Sequence, residues 1–306
     1  MKISTSILNA ENRLECVKKL NRTNTSYIHI DVMDGKFVPN TQFNNIREIS
    51  AINIISKYKL DIHLMVENPI EYIEQFNNMN IECITFHIEV EKDIKEIISK
   101  IKTKGYKAGL SIKPNTNIDE LVPYLKDIDL ILVMSVEPGK GGQEFLQNTT
   151  ERINKVKKLI TKENDDIQIE VDGGINDETI TLLENVDIAV VGSYIIKSDN
   201  YYQTIEKLLK IDKQKEGISS NDTKNSSQKV TYKILLGIGI LPFVLLFGFG
   251  LYSMAFGFSF FSETNYGLGA FLESIFFSGL IYWPILLIGL ILIIISAYKL
   301  KKINKK

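Results

Sequence analysis

The residues best suited to chemistry are histidines and aspartates that fall within short apolar segments. In the segment His29–Met33 (HIDVM), polar and apolar side chains alternate. The period of two in a β-strand would place His29, Asp31 and Met33 on one face. Gly35 and Pro39 follow with turn chemistry. An imidazole and a carboxylate on one strand face, close to its end, indicate the floor of an active site.

Two further segments supply matching side chains. His63 lies near the end of a third β-rich segment, and Asp172 directly follows a seventh. Two imidazoles and two carboxylates, from His29, Asp31, His63 and Asp172, suit a divalent cation such as Zn²⁺, Fe²⁺, Mn²⁺ or Co²⁺, and the sequence does not choose among these metals. A single strand histidine is more often a buried core residue, and for His87 we expect a structural or supporting role.

Glycine-rich loops follow the last three β-rich segments. A backbone that approaches an anion closely favours glycine, and such loops commonly bind phosphate. Any one of them alone is more typical of a tight turn, but three at one edge favour a phosphate site, to which Lys140 would add a charge. The loop residues are Gly139, Lys140, Gly141 and Gly142, then Gly173 and Gly174, then Gly192 and Ser193.

These residues must be positioned by the elements of the first two thirds of the chain. Eight β-rich segments alternate with helical ones, which predicts an α/β fold, a (β/α)₈ TIM barrel, over residues 1–211. The alternative, a doubly wound open sheet, would usually carry a glycine-rich loop after its first strand, and Leu8–Glu11 has no glycine. The predicted strands are 3–8, 27–32, 60–65, 83–87, 107–112, 130–134, 167–171 and 188–191. The predicted helices are 11–20, 46–55, 70–76, 93–103, 149–160, 178–183 and 201–209, with Asp177 as one N-cap and Gly105 as one stop.

Composition excludes several classes of protein. The chain has 306 residues with a formal net charge of −1, which gives no field for nucleic acid, so no nucleic-acid partner is expected. The two cysteines, Cys16 and Cys83, lie far apart and cannot form a disulfide framework, which indicates a reducing compartment. The N-terminus is too short and polar for a secretory signal.

The last third of the chain differs from the first two thirds. After a polar linker at 212–233, Ile234–Phe261 and Ser274–Tyr298 contain no charged residue over 28 and 25 residues. Both exceed the roughly 20 residues that cross a bilayer core. They predict a transmembrane hairpin over 234–298, with helices at about 234–257 and 275–298, embedded in membrane lipid. Lysines precede the first segment and are frequent in the tail at 299–306, which follows the second. By the positive-inside rule we therefore expect a multi-pass protein with the barrel and both termini cytoplasmic. Association of copies through the spans is an open possibility.

Several motifs in the barrel resemble one known family. The segments HIDVMDGKFVPN (29–40), DIHLMVENP (61–69), MSVEPGKGGQEF (134–145) and DGGIN (172–176) are similar to those of ribulose-phosphate 3-epimerases. The resemblance covers about residues 2–209. Lys140 departs from the family, which usually has an aromatic residue there, while the glycines around it are retained.

The resemblance implies a pentose phosphate pathway reaction, the metal-dependent inversion of C3 between D-ribulose 5-phosphate and D-xylulose 5-phosphate through an enediolate. It implies that Asp31 and Asp172 are the acid–base pair and also metal ligands. It also implies that Ser6, His63 and the loop residues contact the substrate, and that Met33, Met65 and Met134 cap the intermediate with an apolar, polarizable surface. Asp34 would hold either the loop that follows its strand or the groups around the metal.

Two alternatives remain open from the sequence. The same residues would serve a 3-epimerase of another ketose phosphate, such as allulose 6-phosphate. A membrane-bound sugar-phosphate sensor is a different class, which the retained carboxylates and metal-binding side chains disfavour, because a sensor needs no acid–base pair.

Overall fold

The structure is a computed structural model that describes residues 1–163, 166–214, 231–238, 240 and 287–301. The chain divides into two compact units, Met1–Lys215 and Glu216–Lys306. The first unit contains every predicted site residue. Its elements begin with a parallel strand and continue in strand–helix alternation.

Eight parallel strands close into a barrel in the first unit. The strands are β1 Lys2–Ser6, β2 Tyr27–Asp34, β3 Thr41–Gln42, β4 Lys59–Met65, β5 Ile81–His87, β6 Lys107–Ile112, β7 Leu130–Met134, β8 Gln168–Asp172 and β9 Ile188–Val191. The sheet order is β1-β9-β8-β7-β6-β5-β4-β2, and β1 pairs with β2 to complete the ring. The short strand β3 pairs antiparallel with the end of β2. The closure of the ring confirms the (β/α)₈ prediction and excludes the open sheet.

Helices surround the barrel and bury the outward-facing side chains of the strands. Ile28, Ile30 and Val32 of β2 join a large apolar core with helix residues such as Val17 and Ile97. The alternate residues of β2 face the barrel interior, as the period of two predicts. The helices are α1 Arg13–Leu20, α2 Ile46–Ile55, α3 Pro69–Gln75, α4 Ile94–Thr103, α5 Thr149–Glu163 and α6 Ser193–Ile196, with 3₁₀ turns at Ile118–Tyr124 and Thr179–Leu182 and a helix at 201–214.

Local capping explains where these helices begin and end. Asp93 accepts hydrogen bonds from the N–H groups of Lys95 and Glu96 at the start of α4, and Gly105 (φ +82°) ends it as predicted. Asp177 was predicted as an N-cap, and this is wrong. The side chain of Asn176 instead accepts hydrogen bonds from the N–H groups of Glu178 and Thr179, two and three residues further along.

Three elements were not predicted: a 3₁₀ turn between β6 and β7, the strand β3, and the short helix α6. The segment between β6 and β7 is a 3₁₀ turn, Ile118–Tyr124, with Pro123 inside it. Proline lacks the N–H that a longer α-helix would need, so the segment stays short. Strand β3 pairs Thr41 with Asp34 and Gln42 with Met33, so the contact is close in the chain, but a strand of two residues carries no alternating pattern of its own.

The second unit is described at 231–238, 240 and 287–301, which are helical. Within these stretches and the barrel, no helix combines the length and the apolar character that crossing a membrane requires. Of the predicted spans at about 234–257 and 275–298, residues 239, 241–257 and 275–286 lie outside the described part of the chain.

Candidate active site

A cavity of about 530 Å³ opens at the carboxyl ends of the barrel strands. His29 and His63 lie beneath it and are completely buried. The strand order therefore brings together side chains that are far apart in the sequence. The predicted residues that line the cavity are Ser6, Asp31, Met33, Met65, Met134, Gly139, Lys140, Gly141, Gly142, Asp172, Gly173, Gly174, Gly192 and Ser193.

The four predicted metal-binding side chains converge at the cavity floor. One nitrogen or oxygen from each of His29, Asp31, His63 and Asp172 lies within 4.8 Å of the others. His63 Nδ1 is 3.4 Å from Asp31 Oδ1 and 3.8 Å from Asp172 Oδ2. This nitrogen is buried and makes no hydrogen bond. An unpartnered imidazole nitrogen facing two carboxylates fits a ligand set for a borderline divalent cation.

The two cavity carboxylates differ in protonation. Burial alone would raise the pKa of Asp31, but the adjacent His29 and His63 lower it well below the usual value. Ser6 Oγ also donates to Asp31 Oδ2 at 2.8 Å. Burial, together with the charge of Asp31, raises the pKa of Asp172 to about 6. Asp31 is therefore ionised near neutral pH, whereas a fraction of Asp172 keeps its proton.

A second set of polar groups lies deeper in the barrel, below His29. His29 Nδ1 is 2.8 Å from Asp61 Oδ2, which also accepts a hydrogen bond from Ser4 Oγ at 2.6 Å. Burial works against the charge on His29, yet Asp31 and Asp61 together raise its pKa well above normal. Glu170 is fully buried nearby, and burial together with the charge of Asp61 raises its pKa strongly. This favours the neutral form of Glu170.

His63 also contacts a line of two side chains, His87 at the end of β5 and Glu89 just after it. His63 Nε2 is 3.0 Å from His87 Nε2, and His87 Nδ1 is 3.0 Å from Glu89 Oε2. Burial lowers the pKa of His87 to about 4, so this imidazole is neutral. Burial opposes ionisation of Glu89, but the contact with His87 and the hydrogen bonds from Thr116 and Lys113 together lower the pKa of Glu89 to about 2. His87 thus lies beside the cavity residues rather than among them.

Glycine geometry shapes the upper part of the cavity. Gly174 has φ +63°, and a Cβ there would lie 2.5 Å from Phe145 N and 2.8 Å from Phe145 Cα. Only glycine allows the loops after β7 and β8 to approach so closely. Asn9 Nδ2 donates to Ser193 Oγ at 2.8 Å, and a Cβ on Gly141 would lie 2.4 Å from that same Asn9 nitrogen. The loops after β1, β7 and β9 therefore meet around one space.

The loop after β2 is held by Asp34. Asp34 Oδ1 accepts the N–H groups of Lys36 and Phe37, and its Oδ2 accepts that of Glu67. Partial burial raises the pKa of Asp34, but these three bonds lower it overall. Asn40 Nδ2 donates to Gly139 O at 2.7 Å and so connects this loop to the one after β7. Asp34 organises the loop and does not line the cavity.

The methionines form part of an apolar wall. Met33 and Met65 pack with Val38 near the mouth, and Met134 belongs to a neighbouring apolar cluster inside the barrel. All three line the cavity.

Some residues of this site were missed in the sequence. The cavity is also lined by Asn9, Gln143, Asn176 and Lys197. Asn9 follows the first strand, and its position at a strand's carboxyl end was the available signal. The partners Asp61, Glu89 and Glu170 depend on strand register, which no local pattern reveals.

Fold and site together define a class: a (β/α)₈-barrel enzyme with imidazoles, carboxylates and glycine-rich loops at the carboxyl ends of its strands. Residues 2–196 match the model of the ribulose-phosphate 3 epimerase family. The chain belongs to the ribulose-phosphate 3-epimerase family of enzymes.

Individual relatives agree with this assignment. The chain is 37% identical over 211 residues to a ribulose-phosphate 3-epimerase of Helicobacter pylori, covering 68% of this chain and 96% of the relative. It is 40% identical over 208 residues to one of Chlamydia pneumoniae, covering 65% and 89% respectively. Among solved structures, a tryptophan synthase of Mycobacterium tuberculosis superposes with a TM-score of 0.52 at 11% identity, covering 69% of this chain and 91% of that chain. This last likeness concerns the fold alone.

Proposed function

We propose that this chain interconverts D-ribulose 5-phosphate and D-xylulose 5-phosphate by inverting C3, a step of the pentose phosphate pathway. The observation that carries the proposal is the convergence of Asp31 and Asp172 with two buried imidazoles on one cavity floor. The relatives named above carry the corresponding name.

Asp31 and Asp172 are the proposed acid–base pair. An ionised Asp31 takes the proton from C3, and a protonated Asp172 returns one to the opposite face of the same carbon. The reverse reaction exchanges these roles. Their contrasting pKa values support this division, because catalysis requires one carboxylate and one carboxylic acid at the start of each turnover.

The side chains that would hold the divalent metal are His29, Asp31, His63 and Asp172. The unpartnered His63 Nδ1 and the mixed nitrogen and oxygen donors fit Zn²⁺, Fe²⁺, Mn²⁺ or Co²⁺. A bound cation supplies electrostatic stabilisation of the negative charge that develops when a carbon acid beside a ketone loses its proton. The cation would also reduce the repulsion between the two carboxylates.

The loops around Gly139–Gly142, Gly173 and Gly192 are the proposed substrate-phosphate and sugar contacts, with Ser6, Gly174 and Ser193. They line the same cavity as the acid–base pair. Lys140 and Lys197 also line it and provide positive charge for an anionic substrate. The methionines Met33, Met65 and Met134 would exclude water from the planar intermediate.

Turnover with defined metals tests this proposal. The full chain is treated with a chelator, dialysed, and assayed on D-ribulose 5-phosphate and on allulose 6-phosphate, with and without each of Zn²⁺, Fe²⁺, Mn²⁺ and Co²⁺. We expect activity to vanish on chelation, to return with at least one ion, and to be higher on the pentulose. Absence of product with all four ions would refute the proposal, and preference for the hexulose would change the substrate.

We also propose that residues 234–298 tether the enzyme to a membrane as a two-helix hairpin with the barrel cytoplasmic. The support is the sequence: two long uncharged segments with lysines at their outer ends. The full chain should stay with membranes after an alkaline carbonate wash, whereas a chain ending at residue 233 should not. A periplasm-active reporter fused after Lys306 should be silent, and an active reporter would contradict the topology.

A further inference from the structure

The side chains behind His63 form a line whose hydrogen bonds have a direction. It runs from Glu89 through His87 to His63, with nitrogen–oxygen and nitrogen–nitrogen distances of 3.0 Å each. His87 and His63 are both completely buried, so water does not supply alternative partners. Each hydrogen bond needs one proton between its two atoms, so fixing one proton fixes the next.

Glu89 fixes the first proton. Its Oε1 accepts the N–H of Lys113 at 2.8 Å and the hydroxyl of Thr116. The loop that carries these donors is held in turn by Arg152, whose guanidinium donates to the carbonyl oxygens of Lys113 and Thr116 at 2.9 and 3.0 Å. An ionised carboxylate only accepts hydrogen bonds, so Nδ1 of His87 must carry the proton directed at Oε2.

The second proton follows from the first. A neutral imidazole protonated at Nδ1 has a bare Nε2. The bare Nε2 of His87 therefore accepts a hydrogen bond from Nε2–H of His63. His63 is then bare at Nδ1, the nitrogen that faces Asp31 and Asp172 and has no hydrogen-bond partner.

The opposite arrangement fails at Glu89. If His63 carried its proton on Nδ1, its Nε2 would accept from His87, and His87 would turn a bare Nδ1 toward a carboxylate oxygen at 3.0 Å. Two acceptors would then face each other at 3.0 Å without a proton, closer than the 3.4 Å between the bare Nδ1 of His63 and Asp31 Oδ1 in the first arrangement, so the opposite arrangement is the more costly one.

We propose that Glu89 and His87 are positioning residues that set the tautomer of His63, leaving its Nδ1 lone pair free for a divalent cation. The cation itself rests on the proposed function, but the tautomer does not. Groups of this kind, behind a metal ligand, orient the ligand and determine which nitrogen is available.

The chain suits a direct measurement because it contains three histidines in total. Long-range ¹H–¹⁵N spectra of the metal-free full chain at neutral pH report which ring nitrogen is protonated. We expect His63 to be protonated at Nε2 and His87 at Nδ1. A His63 protonated at Nδ1 would overturn the inference without any variant being made.

Glu89→Gln is the sharpest variant. Lys113 N–H and the Thr116 hydroxyl require the amide oxygen on their side, which turns the NH₂ group toward His87 Nδ1. Both tautomers should then invert, and Zn²⁺ affinity measured by chelator competition should fall by about 10–100-fold. Glu91→Gln, the same change at an exposed position two residues along, should alter neither. Unchanged tautomers and unchanged Zn²⁺ affinity in Glu89→Gln would refute the role.

These measurements separate the two proposals. Expected tautomers in a chain that fails to epimerise either sugar would remove the proposed function and keep the role of Glu89 and His87. An active enzyme with His63 protonated at Nδ1 would keep the proposed function and remove the role of Glu89 and His87.

Discussion

His29 lies between two carboxylates, with its Nδ1 2.8 Å from Asp61 Oδ2 and its Nε2 3.3 Å from Asp31 Oδ1. Asp61 is fully buried below the cavity and also accepts a hydrogen bond from Ser4. The inner carboxylate therefore accepts a hydrogen bond from Nδ1–H and directs Nε2 toward the cavity floor. This is the usual arrangement of a carboxylate behind a metal-binding histidine.

Replacing Asp61 with asparagine should weaken metal binding. The amide is a poorer acceptor for His29 Nδ1–H and allows the ring to change tautomer. We expect Zn²⁺ affinity to fall by about 10–100-fold, measured by chelator competition. Affinity equal to that of the unmodified chain would show that Asp61 does not orient His29.

Glu170→Gln is the matched test within the same interior cluster. The raised pKa of Glu170, caused by burial and the nearby Asp61 charge, favours the neutral form, and glutamine keeps the side chain neutral at nearly the same volume. We expect a change in the free energy of unfolding within about 1 kcal/mol and turnover within about threefold. A large loss of stability would mean that Glu170 is ionised in the folded chain.

Asp34→Asn should destabilise the loop after β2 in a pH-dependent way. The folded pKa of Asp34 is lowered, so its contribution is complete above the unfolded pKa of about 3.9 and disappears as pH falls through the folded value. The variant should lose about 1–2 kcal/mol at pH 7. Denaturant titrations should give a smaller difference at pH 3 than at pH 7. A difference that grows toward acid would contradict the assigned hydrogen bonds.

Gly174→Ala should damage the substrate loops more than positive φ alone explains. The new Cβ would meet the backbone of Phe145 at 2.5 Å, and φ is +63°. Gly105→Ala is the control, because φ there is +82° but no atom lies within 4 Å of the added carbon. Both variants should lose about 1 kcal/mol of stability from strain. Gly174→Ala alone should raise KM for D-ribulose 5-phosphate about tenfold or more. Equal KM values in the two variants would argue against a role for this close approach.

The sequence predicted much of this site because the signal is local. Alternation along β2 places His29, Asp31 and Met33 inside the barrel, and the barrel topology places Asp172 at the same mouth. Each of these predictions uses the pattern of a single strand and the rule that active-site residues lie at the carboxyl ends of barrel strands.

Relationships across strands escaped prediction. The pairing of His29 with Asp61 depends on the β2–β4 register, and that of His63 with His87 depends on the side-by-side placement of β4 and β5. Asp61 carries no pattern of its own, because the sequence does not distinguish an aspartate buried in a strand from one exposed at the edge of a sheet. Asn9 was missed because its partner Ser193 lies 184 residues away.

The exchange of the C3 hydrogen with solvent tests the two-aspartate mechanism most directly. The metal-loaded full chain is incubated with D-ribulose 5-phosphate in D₂O, and deuterium at C3 is followed in the product, with Asp34→Asn as a carboxylate control outside the cavity. The account predicts deuterated D-xylulose 5-phosphate from the unmodified chain and the control, and a loss of about 10²–10⁴-fold in both Asp31→Asn and Asp172→Asn. Deuterated product formed at the unmodified rate by either of these two variants would contradict it.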